Sequence, residues 1–218
     1  ECDRDGWVTW IELASNNMIG SLPKEIGLFP RLQTLKIRNN PGLVGSIPST
    51  IAQLTSLTDL ELVENGLTGS IPSTVGNLVG LESMHLHSND LTGLIPSTLG
   101  NLIGLDSVIL RRNRLSGPFP SELGNLMNLR VLNLESNVLT GQIPQEIGNM
   151  ESLRNVWLND NGLTGTMAPV CDGKAAADLS LFYSDCGEKS FPETPGRVEC
   201  SCCTICCDVD GNCLPNNA

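Results

Sequence analysis

Residues 81–104 read LESMHLHSNDLTGLIPSTLGNLIG, and this 24-residue pattern recurs along most of the chain. Residues 129–152, for example, read LRVLNLESNVLTGQIPQEIGNMES. The leucine that opens each copy keeps the same spacing: Leu57, Leu81, Leu105, Leu129, Leu153. Self-similarity at a fixed period of this length is typical of a solenoid, in which stacked repeats bury a continuous core. The 218 residues have room for about seven such repeats.

Each repeat opens with a pattern that predicts a short β-strand. In the Leu-x-x-Leu-x-Leu segment, alternate side chains of an extended chain point to opposite faces. We therefore expect Leu60 and Leu62 to point inward, and Asp59, Glu61 and Val63 to point outward. Stacking would align these strands in one parallel sheet.

An asparagine follows each strand, where the chain turns away from it. Its amide both donates and accepts hydrogen bonds, and an unsatisfied buried backbone group costs about 1–3 kcal/mol. We expect these amides to satisfy backbone groups at the turns: Asn16, Asn40, Asn65, Asn89, Asn113, Asn137, Asn161. The next segment, LTGxIP followed by STxGNL, is too short for an α-helix and predicts a 3-10 turn on the convex side.

The motif LTGxIPxxLGxL resembles the plant-specific class of leucine-rich repeat, seen in plant receptor ectodomains and polygalacturonase-inhibiting proteins. The resemblance covers residues 8–170. It implies a right-handed solenoid, an α/β-type superhelix of mostly short parallel β-strands with 3-10 turns, and a second short strand at the xLTGx step. Repeat two departs from the motif by one extra residue, Pro41 or Gly42, and repeat five by Phe119 in place of isoleucine. Repeat seven breaks down at residues 167–169.

The two ends differ from the repeats, so we divide the chain into three parts. Residues 1–7 are interpreted as the remnant of an N-terminal cap, residues 8–170 as about seven repeats, and residues 171–218 as a cysteine-rich C-terminal cap or tail. In the family that the repeats resemble, the cysteine matching Cys2 pairs with an earlier one. Cys2 is therefore our candidate for an unpaired cysteine, and we expect the native chain to continue upstream.

Eight of the nine cysteines lie in the last 48 residues: Cys171, Cys186, Cys200, Cys202, Cys203, Cys206, Cys207, Cys213. Such crowding indicates a disulfide framework in an oxidising compartment, although a thiolate cluster for zinc or copper is an alternative. The segment resembles the cysteine-rich tails of leucine-rich-repeat proteins from diatoms and related algae. Cys171 and Cys186 could bridge a last half-repeat with a strand at 179–181 and Ser184 at the asparagine position. The segment 208–212 reads as a turn, with a calcium loop as its alternative.

Composition excludes several classes of function. The net charge of −11 and pI of 4.5 would repel nucleic acid and match anionic lipid poorly. No run of 18 or more apolar residues could span a membrane. We find no nucleophile elbow, phosphate-binding loop or Cys/His pair, so we expect no enzymatic activity and no cofactor.

The outward strand positions vary from repeat to repeat, so structure does not dictate them and they are free to encode a partner. We take them as candidates for a ligand-binding concave face: Lys36, Arg38, Glu61, Glu64, His85, His87, Ile109, Arg111, Arg112, Asn133, Glu135, Trp157, Asn159, Asp160. One part of this set has a simpler explanation. Lys36 and Arg38 should neighbour Glu61 and Glu64 one strand spacing away, which favours charge pairs that satisfy each other.

The histidines and tryptophans of this face leave alternatives open. His85 and His87 lie two apart on one strand, so both should face outward as a metal site, a pH switch or ordinary solvated side chains. Trp157 is predicted to be either an exposed binding anchor or covered by the tail. For Trp10, at the other end, we expect coverage by an upstream cap.

The pattern predicts an extracellular recognition module that binds a protein, peptide or polysaccharide on its concave face. The resemblance implies a receptor-ectodomain, inhibitor or adhesion role, with the chain secreted, at the cell surface or associated with the cell wall. The alternative is a structural protein of an extracellular matrix, sheath or filament, which would self-assemble through its ends or cysteines. Neither hypothesis involves nucleic acid or a membrane span in this chain.

Overall fold

The computed structural model describes residues 1–166 and 168–171, and the backbone of four further strands. The β-strands are β1 (Trp10–Ala14), β2 (Gly20–Ser21), β3 (Thr34–Gly45), β4 (Asp59–Gly69), β5 (Ser83–His85), β6 (Asp90–Leu94), β7 (Ser107–Ile109), β8 (Arg114–Gly117), β9 (Val131–Asn133), β10 (Val138–Gln142), β11 (Asn155–Trp157), β12 (Gly162–Thr166), β13 (Leu181–Asp185), β14 (Val198–Glu199), β15 (Ile205–Cys207) and β16 (Cys213–Pro215). The 3-10 helices are Lys24–Leu28, Ser49–Gln53, Ser73–Asn77, Ser97–Asn101, Ser121–Asn125 and Gln145–Asn149. One α-helix, α1, spans Ala168–Cys171.

The strands that open each repeat pair in parallel, in the order β1-β3-β4-β5-β7-β9-β11-β13-β15, and curl into a half-barrel sheet. Each strand is in register with the equivalent strand of the next repeat. For example, Lys36 pairs with Glu61, and Glu61 pairs with His85. The predicted solenoid with a concave parallel sheet is thus confirmed. At the C-terminal end β16 pairs antiparallel to β15 and places Cys207 opposite Cys213.

A second line of parallel strands forms on the other side of the asparagine turn, as the resemblance implied. It runs β4-β6-β8-β10-β12-β14, and β4 is long enough to take part in both lines. The predicted 3-10 turns are also confirmed, and each directly follows one of six prolines: Pro23, Pro48, Pro72, Pro96, Pro120, Pro144. Each repeat therefore has three sides: a concave strand, a lateral strand and a convex 3-10 turn.

The inward leucines and isoleucines of all repeats form one continuous core, in which most side chains are completely buried. Leu60 and Leu62 point into it as predicted. Val63 lies outside the core cluster, in agreement with the predicted outward direction, although only 7% of it is accessible to solvent. Its neighbours at the same position of the adjacent strands are Arg38 and His87.

The asparagines form a buried ladder that links consecutive repeats. Asn113 accepts a hydrogen bond from Leu91 N–H at 3.0 Å and donates to the carbonyl groups of Leu86 and Leu110, both at 3.0 Å. The same pattern holds from Asn40 to Asn161, with Asn161 partly buried. The expectation that the Asn16 amide satisfies backbone groups is wrong. Asn16 is exposed, and among the described contacts only its backbone N–H joins the ladder, donating to Asn40.

The irregular repeats are accommodated locally. The extra residue of repeat two shifts the register of β3 against β4 between Asn40 and Val44. Repeat seven ends in α1, where its motif breaks down. Strand β13 begins at Leu181 and pairs Phe182 with Val156 and Tyr183 with Trp157. Ser184 is therefore level with Leu158, and the expectation that it takes the asparagine position is wrong.

The N-terminal residues fold back onto the first repeat. Arg31 makes ion pairs with Asp3 at 3.0 Å and Asp5 at 2.8 Å, and its guanidinium lies 5.4 Å from the centre of the Trp7 ring. Cys2 pairs through its backbone with Val8, and its thiol is free and exposed. Cys171 is disulfide-bonded. The disulfide and metal hypotheses for the tail cysteines lie outside the described side chains, as does the segment 208–212.

Candidate recognition surface

The parallel register arranges the concave side chains in three rows that cross the strands. The central row holds the middle position of each strand: Glu12, Lys36, Glu61, His85, Ile109, Asn133, Trp157. The end row holds the position two residues further on: Arg38, Val63, His87, Arg111, Glu135, Asn159. The turn row has a positive φ of 52–57° throughout: Asn39, Glu64, Ser88, Arg112, Ser136, Asp160. The turn row therefore forms the rim of the concave face.

Charges on the N-terminal half of this face neutralise one another. Glu61 lies 2.8 Å from Lys36 Nζ and 2.7 Å from Arg38 Nε, and Glu12 lies 3.8 Å from Arg38. Arg38 Nε has no hydrogen-bond partner, so its short contact with Glu61 is an ion pair with poor N–H alignment. Although burial opposes ionisation, the hydrogen bond and charge of Lys36 and the charge of Arg38 hold the pKa of Glu61 below its usual range.

Glu64 does not share in this cluster, contrary to prediction. Its φ of 54° turns it onto the rim, where it is exposed and makes no ion pair with any described residue. Trp10 does belong to the cluster: Lys36 Nζ lies 5.4 Å from its ring centre, and its indole N–H donates to Glu12 at 3.2 Å. Trp10 is 37% exposed, so the side chains of this cluster cover it in part. We had expected an upstream cap to cover it.

The two histidines face the concavity but are half-buried, so neither is an ordinary solvated side chain. His85 Nε2 lies 2.9 Å from Ser107 Oγ and 3.3 Å from Ser83 Oγ. Sequence reasoning placed Ser83 on the outward face but missed Ser107, although Ser107 lies 24 residues after Ser83 at the same repeat position. Burial is the largest cause that lowers the pKa of His85. Among the described side chains no group of His, Cys, Asp or Glu has the arrangement needed to hold a metal ion.

His87 differs from His85 because its Nδ1 is buried without a hydrogen-bond partner. Burial, followed by the charge of Arg111, lowers the pKa of His87 to about 4. The ring is therefore neutral near pH 7, which argues against a switch near neutral pH. Its centre lies 6.4 Å from that of the His85 ring, and the two rings are tilted by 57°.

Arg111 and Arg112 make no ion pair with the described part of the chain, in contrast to two other arginines. Arg114 pairs with Asp90 at 2.7 Å and Arg130 with Asp106 at 3.3 Å. Arg111 stands beside His87 on the end row and Arg112 on the rim. This half of the concave face thus carries two arginines without a described ion pair, and beside them the Glu135 carboxylate, whose described side-chain partner is the Asn159 amide.

The amides of the last two repeats lie on the concave face at the predicted outward positions, but both are buried. Asn133 is 8% and Asn159 5% accessible. Asn133 accepts a hydrogen bond from the backbone N–H of Glu135 at 3.1 Å, and Asn159 donates to the Glu135 carboxylate at 3.4 Å. Asn159 Oδ1 has no partner. The sequence does not distinguish this amide from its neighbours, because the hydrogen bond to Glu135 orients the amide and so decides whether its oxygen finds a partner.

The other candidates lie at the edges of this half. Ile109 and Trp157 are half-buried on the central row, and the backbone of Trp157 pairs with Asn133 on one side and Tyr183 on the other. Asp160 is exposed on the rim. The structure therefore brings most predicted residues onto one face but divides them. The charges of the N-terminal half are ion-paired, although Arg38 Nε lacks an aligned hydrogen bond, while the C-terminal half keeps His87 Nδ1 and Asn159 Oδ1 unpaired.

Comparison with known proteins agrees with the fold. The family model described as Leucine Rich Repeat matches residues 56–78, 80–102, 104–126 and 128–150. The LRR ectodomain of the receptor kinase SOBIR1 from Arabidopsis thaliana is 30% identical with a TM-score of 0.55, and the alignment covers 58% of this chain and 68% of that one. The chain belongs to the leucine-rich-repeat proteins.

Two further matches show what the chain is similar to. The plant peptide hormone receptor RGFR1, solved in complex with RGF2, is 36% identical over 82% of this chain, with a TM-score of 0.75. The curated Piriformospora indica-insensitive protein 2 of Arabidopsis thaliana is 51% identical over 35 residues, or 16% of this chain. This chain spans 28% of the RGFR1 chain and 8% of the curated relative. No helix in the described part of the chain is long and apolar enough to cross a membrane.

Proposed function

We propose that this protein is an extracellular recognition module that binds an extended peptide on the C-terminal half of its concave face, without catalysis. One observation carries the proposal. His87 Nδ1 and Asn159 Oδ1 are both buried without a partner, and both lie on the end row, with Arg111 and Glu135 between them. Buried polar atoms are rarely left unpaired in native proteins. A bound ligand that pairs with both atoms would account for their lack of a partner within the described part of the chain.

The spacing suits a short extended segment. His87 and Asn159 are three strands apart, which is about 14 Å at a spacing of about 4.8 Å. An extended chain advances about 3.3–3.6 Å per residue, so about four residues of a peptide cover the distance. Peptide main chain supplies both donors and acceptors along this path.

The chemistry of the row defines the ligand further. Asn159 Oδ1 accepts only, so it requires an N–H or O–H donor. Arg111 has no carboxylate partner among the described residues, so an acidic group of the ligand would pair with it in two parallel hydrogen bonds. His87 is neutral at physiological pH and offers Nδ1 as donor or acceptor. The proposed ligand is therefore an acidic peptide.

The similar proteins support the setting and the ligand class. RGFR1 is a plant peptide hormone receptor, and the SOBIR1 structure is that of a receptor-kinase ectodomain. A polysaccharide ligand remains the competing proposal, since Trp157 and the amides also suit a sugar. Self-assembly into a matrix or sheath is a separate proposal.

An array of short synthetic peptides, probed with the 218-residue chain, tests the proposal. We expect binders enriched in acidic residues, and we expect Arg111→Gln to weaken their binding at least tenfold, because a charge-assisted bidentate pair is lost. Arg114→Gln is the matched control, since Arg114 lies on a lateral strand and is paired with Asp90. The proposal fails if no peptide binds, if Arg111→Gln binds as well as the control, or if only a glycan array gives binders.

A further inference from the structure

Two cysteines occupy opposed positions in the hairpin that ends the concave sheet. Strand β16 pairs antiparallel with β15, and the backbone register places Cys207 directly opposite Cys213. Directly opposed residues of an antiparallel pair have Cα atoms about 4.5 or 5.5 Å apart, depending on the hydrogen bonding at that position. Because a disulfide joins Cα atoms about 4.4–6.8 Å apart, both arrangements suit one.

The register also separates Cys207 from the cysteine beside it. Cys206 is level with Leu214, and successive residues of a strand belong to opposite faces of the sheet. Cys206 and Cys213 therefore lie on opposite faces, while Cys207 and Cys213 share one. On the other side of β15, Cys207 is level with Asp185 of β13. The neighbouring strand thus places no competing cysteine at this level.

The position of the hairpin gives such a link a structural role. The parallel stacking of the repeats ends at β15, and β16, a strand of three residues, reverses direction across it. The end of a solenoid exposes core and unpaired strand edges, so it needs a cap. A covalent link would hold this short strand against the sheet. Cys171 is disulfide-bonded, so oxidised cysteine is present in this part of the chain.

We propose that Cys207 and Cys213 form a disulfide that staples the terminal hairpin to the sheet. The bond forms by exchange with an oxidised dithiol protein or glutathione disulfide. Each cysteine gives up its thiol hydrogen, an Sγ–Sγ bond forms, and the disulfide of the oxidant is reduced to two thiols that carry these hydrogens. The pairing concerns the end of the sheet, so it does not depend on peptide recognition.

Disulfide mapping of the non-reduced chain tests the pairing. A Cys2→Ser background removes the free exposed thiol, so that it cannot exchange with the bonds to be mapped. A protease that cleaves before aspartate releases residues 210–218, which contain Cys213 as their only cysteine, and a peptide that ends at Cys207. We expect these two peptides to be linked. Partial reduction, alkylation and fragmentation in the mass spectrometer should assign the link to Cys207.

Matched variants separate this pair from its neighbour. Cys213→Ser should leave one extra reactive thiol, located at Cys207, whereas the double variant C207S/C213S should leave none. Cys206→Ser is the control, because Cys213 should stay protected from alkylation in it. The proposal is overturned if residues 210–218 are linked to any other cysteine, or if Cys213 is alkylated in the non-reduced chain. Bound zinc or copper whose removal exposes Cys213 would also overturn it, in favour of a thiolate cluster.

Discussion

A methyl group added to Gly76 would lie 2.5 Å from the carbonyl oxygen of Thr98 in the next repeat. The equivalent contact at Gly27 is with the Thr50 carbonyl, also at 2.5 Å. Repeat two has Ala52 at this position, and there the threonine hydrogen bond to the preceding repeat is longer. It measures 3.2 Å from Thr74, against 2.6 Å from both Thr50 and Thr98. The glycine therefore sets how closely the convex turns stack.

We predict that Gly76→Ala lowers the free energy of unfolding by about 1–3 kcal/mol, because the added methyl overpacks a contact with backbone. Gly80→Ala is the control, since the nearest atom to its added methyl is 3.7 Å away. That variant should be neutral or more stable by up to about 1 kcal/mol. Urea denaturation measures both. Equal effects of the two substitutions would show that the Gly76 contact does not restrict stacking.

The asparagine ladder gives a second prediction, on stability. Asn113→Ala leaves the N–H of Leu91 without its partner inside the core, and the carbonyl of Leu86 keeps only Asn89 of its two amide donors. We expect a loss of about 2–4 kcal/mol in the free energy of unfolding, measured by thermal or urea denaturation. Asn16→Ala, at the same repeat position but exposed, should change it by less than about 0.5 kcal/mol. Comparable losses at both positions would contradict the role of burial.

Repeat periodicity predicts what is identical in every repeat, and it fails where neighbours of different repeats interact. The strands, 3-10 turns and buried leucines follow from positions that recur every 24 residues. Val63 and Asn159 also sit at outward strand positions, yet both are buried because of the size and orientation of side chains on adjacent strands. Which concave atoms remain unpaired depends on such cross-repeat contacts, and a single-repeat consensus does not contain them.

The shared carboxylate of Glu61 gives a third prediction. Glu61→Gln removes the only negative partner of Lys36 among the described residues and the closer partner of Arg38. Because these side chains are largely buried, we expect a loss of about 1–3 kcal/mol in the free energy of unfolding. Asp90→Asn breaks the exposed pair with Arg114 and should cost less than about 0.5 kcal/mol. The cluster is not a stabilising unit if both variants unfold at the same urea concentration.

The last prediction concerns pH and His87. Its pKa of about 4 in the folded protein lies below the ordinary 6.5, so the unfolded state binds the proton more readily. The histidine therefore makes no pH-dependent contribution well above pH 6.5, and it destabilises the fold progressively as the pH falls through 6.5 toward 4. In His87→Gln this contribution is absent. We expect the variant to lose less unfolding free energy than the parent chain between about pH 7 and about pH 4.5.

Arg111→Gln separates the causes of the lowered pKa of His87. Burial is the largest cause and remains, but the neighbouring positive charge is removed. NMR titration of the His87 ring should then give a midpoint above that of the parent chain, while that of His85, to whose pKa shift Arg111 does not contribute, should move less. A midpoint for His87 that is the same in both chains would mean that Arg111 does not act on the ring. In that case the charge of Arg111 would lie too far from the His87 ring to anchor a ligand beside it.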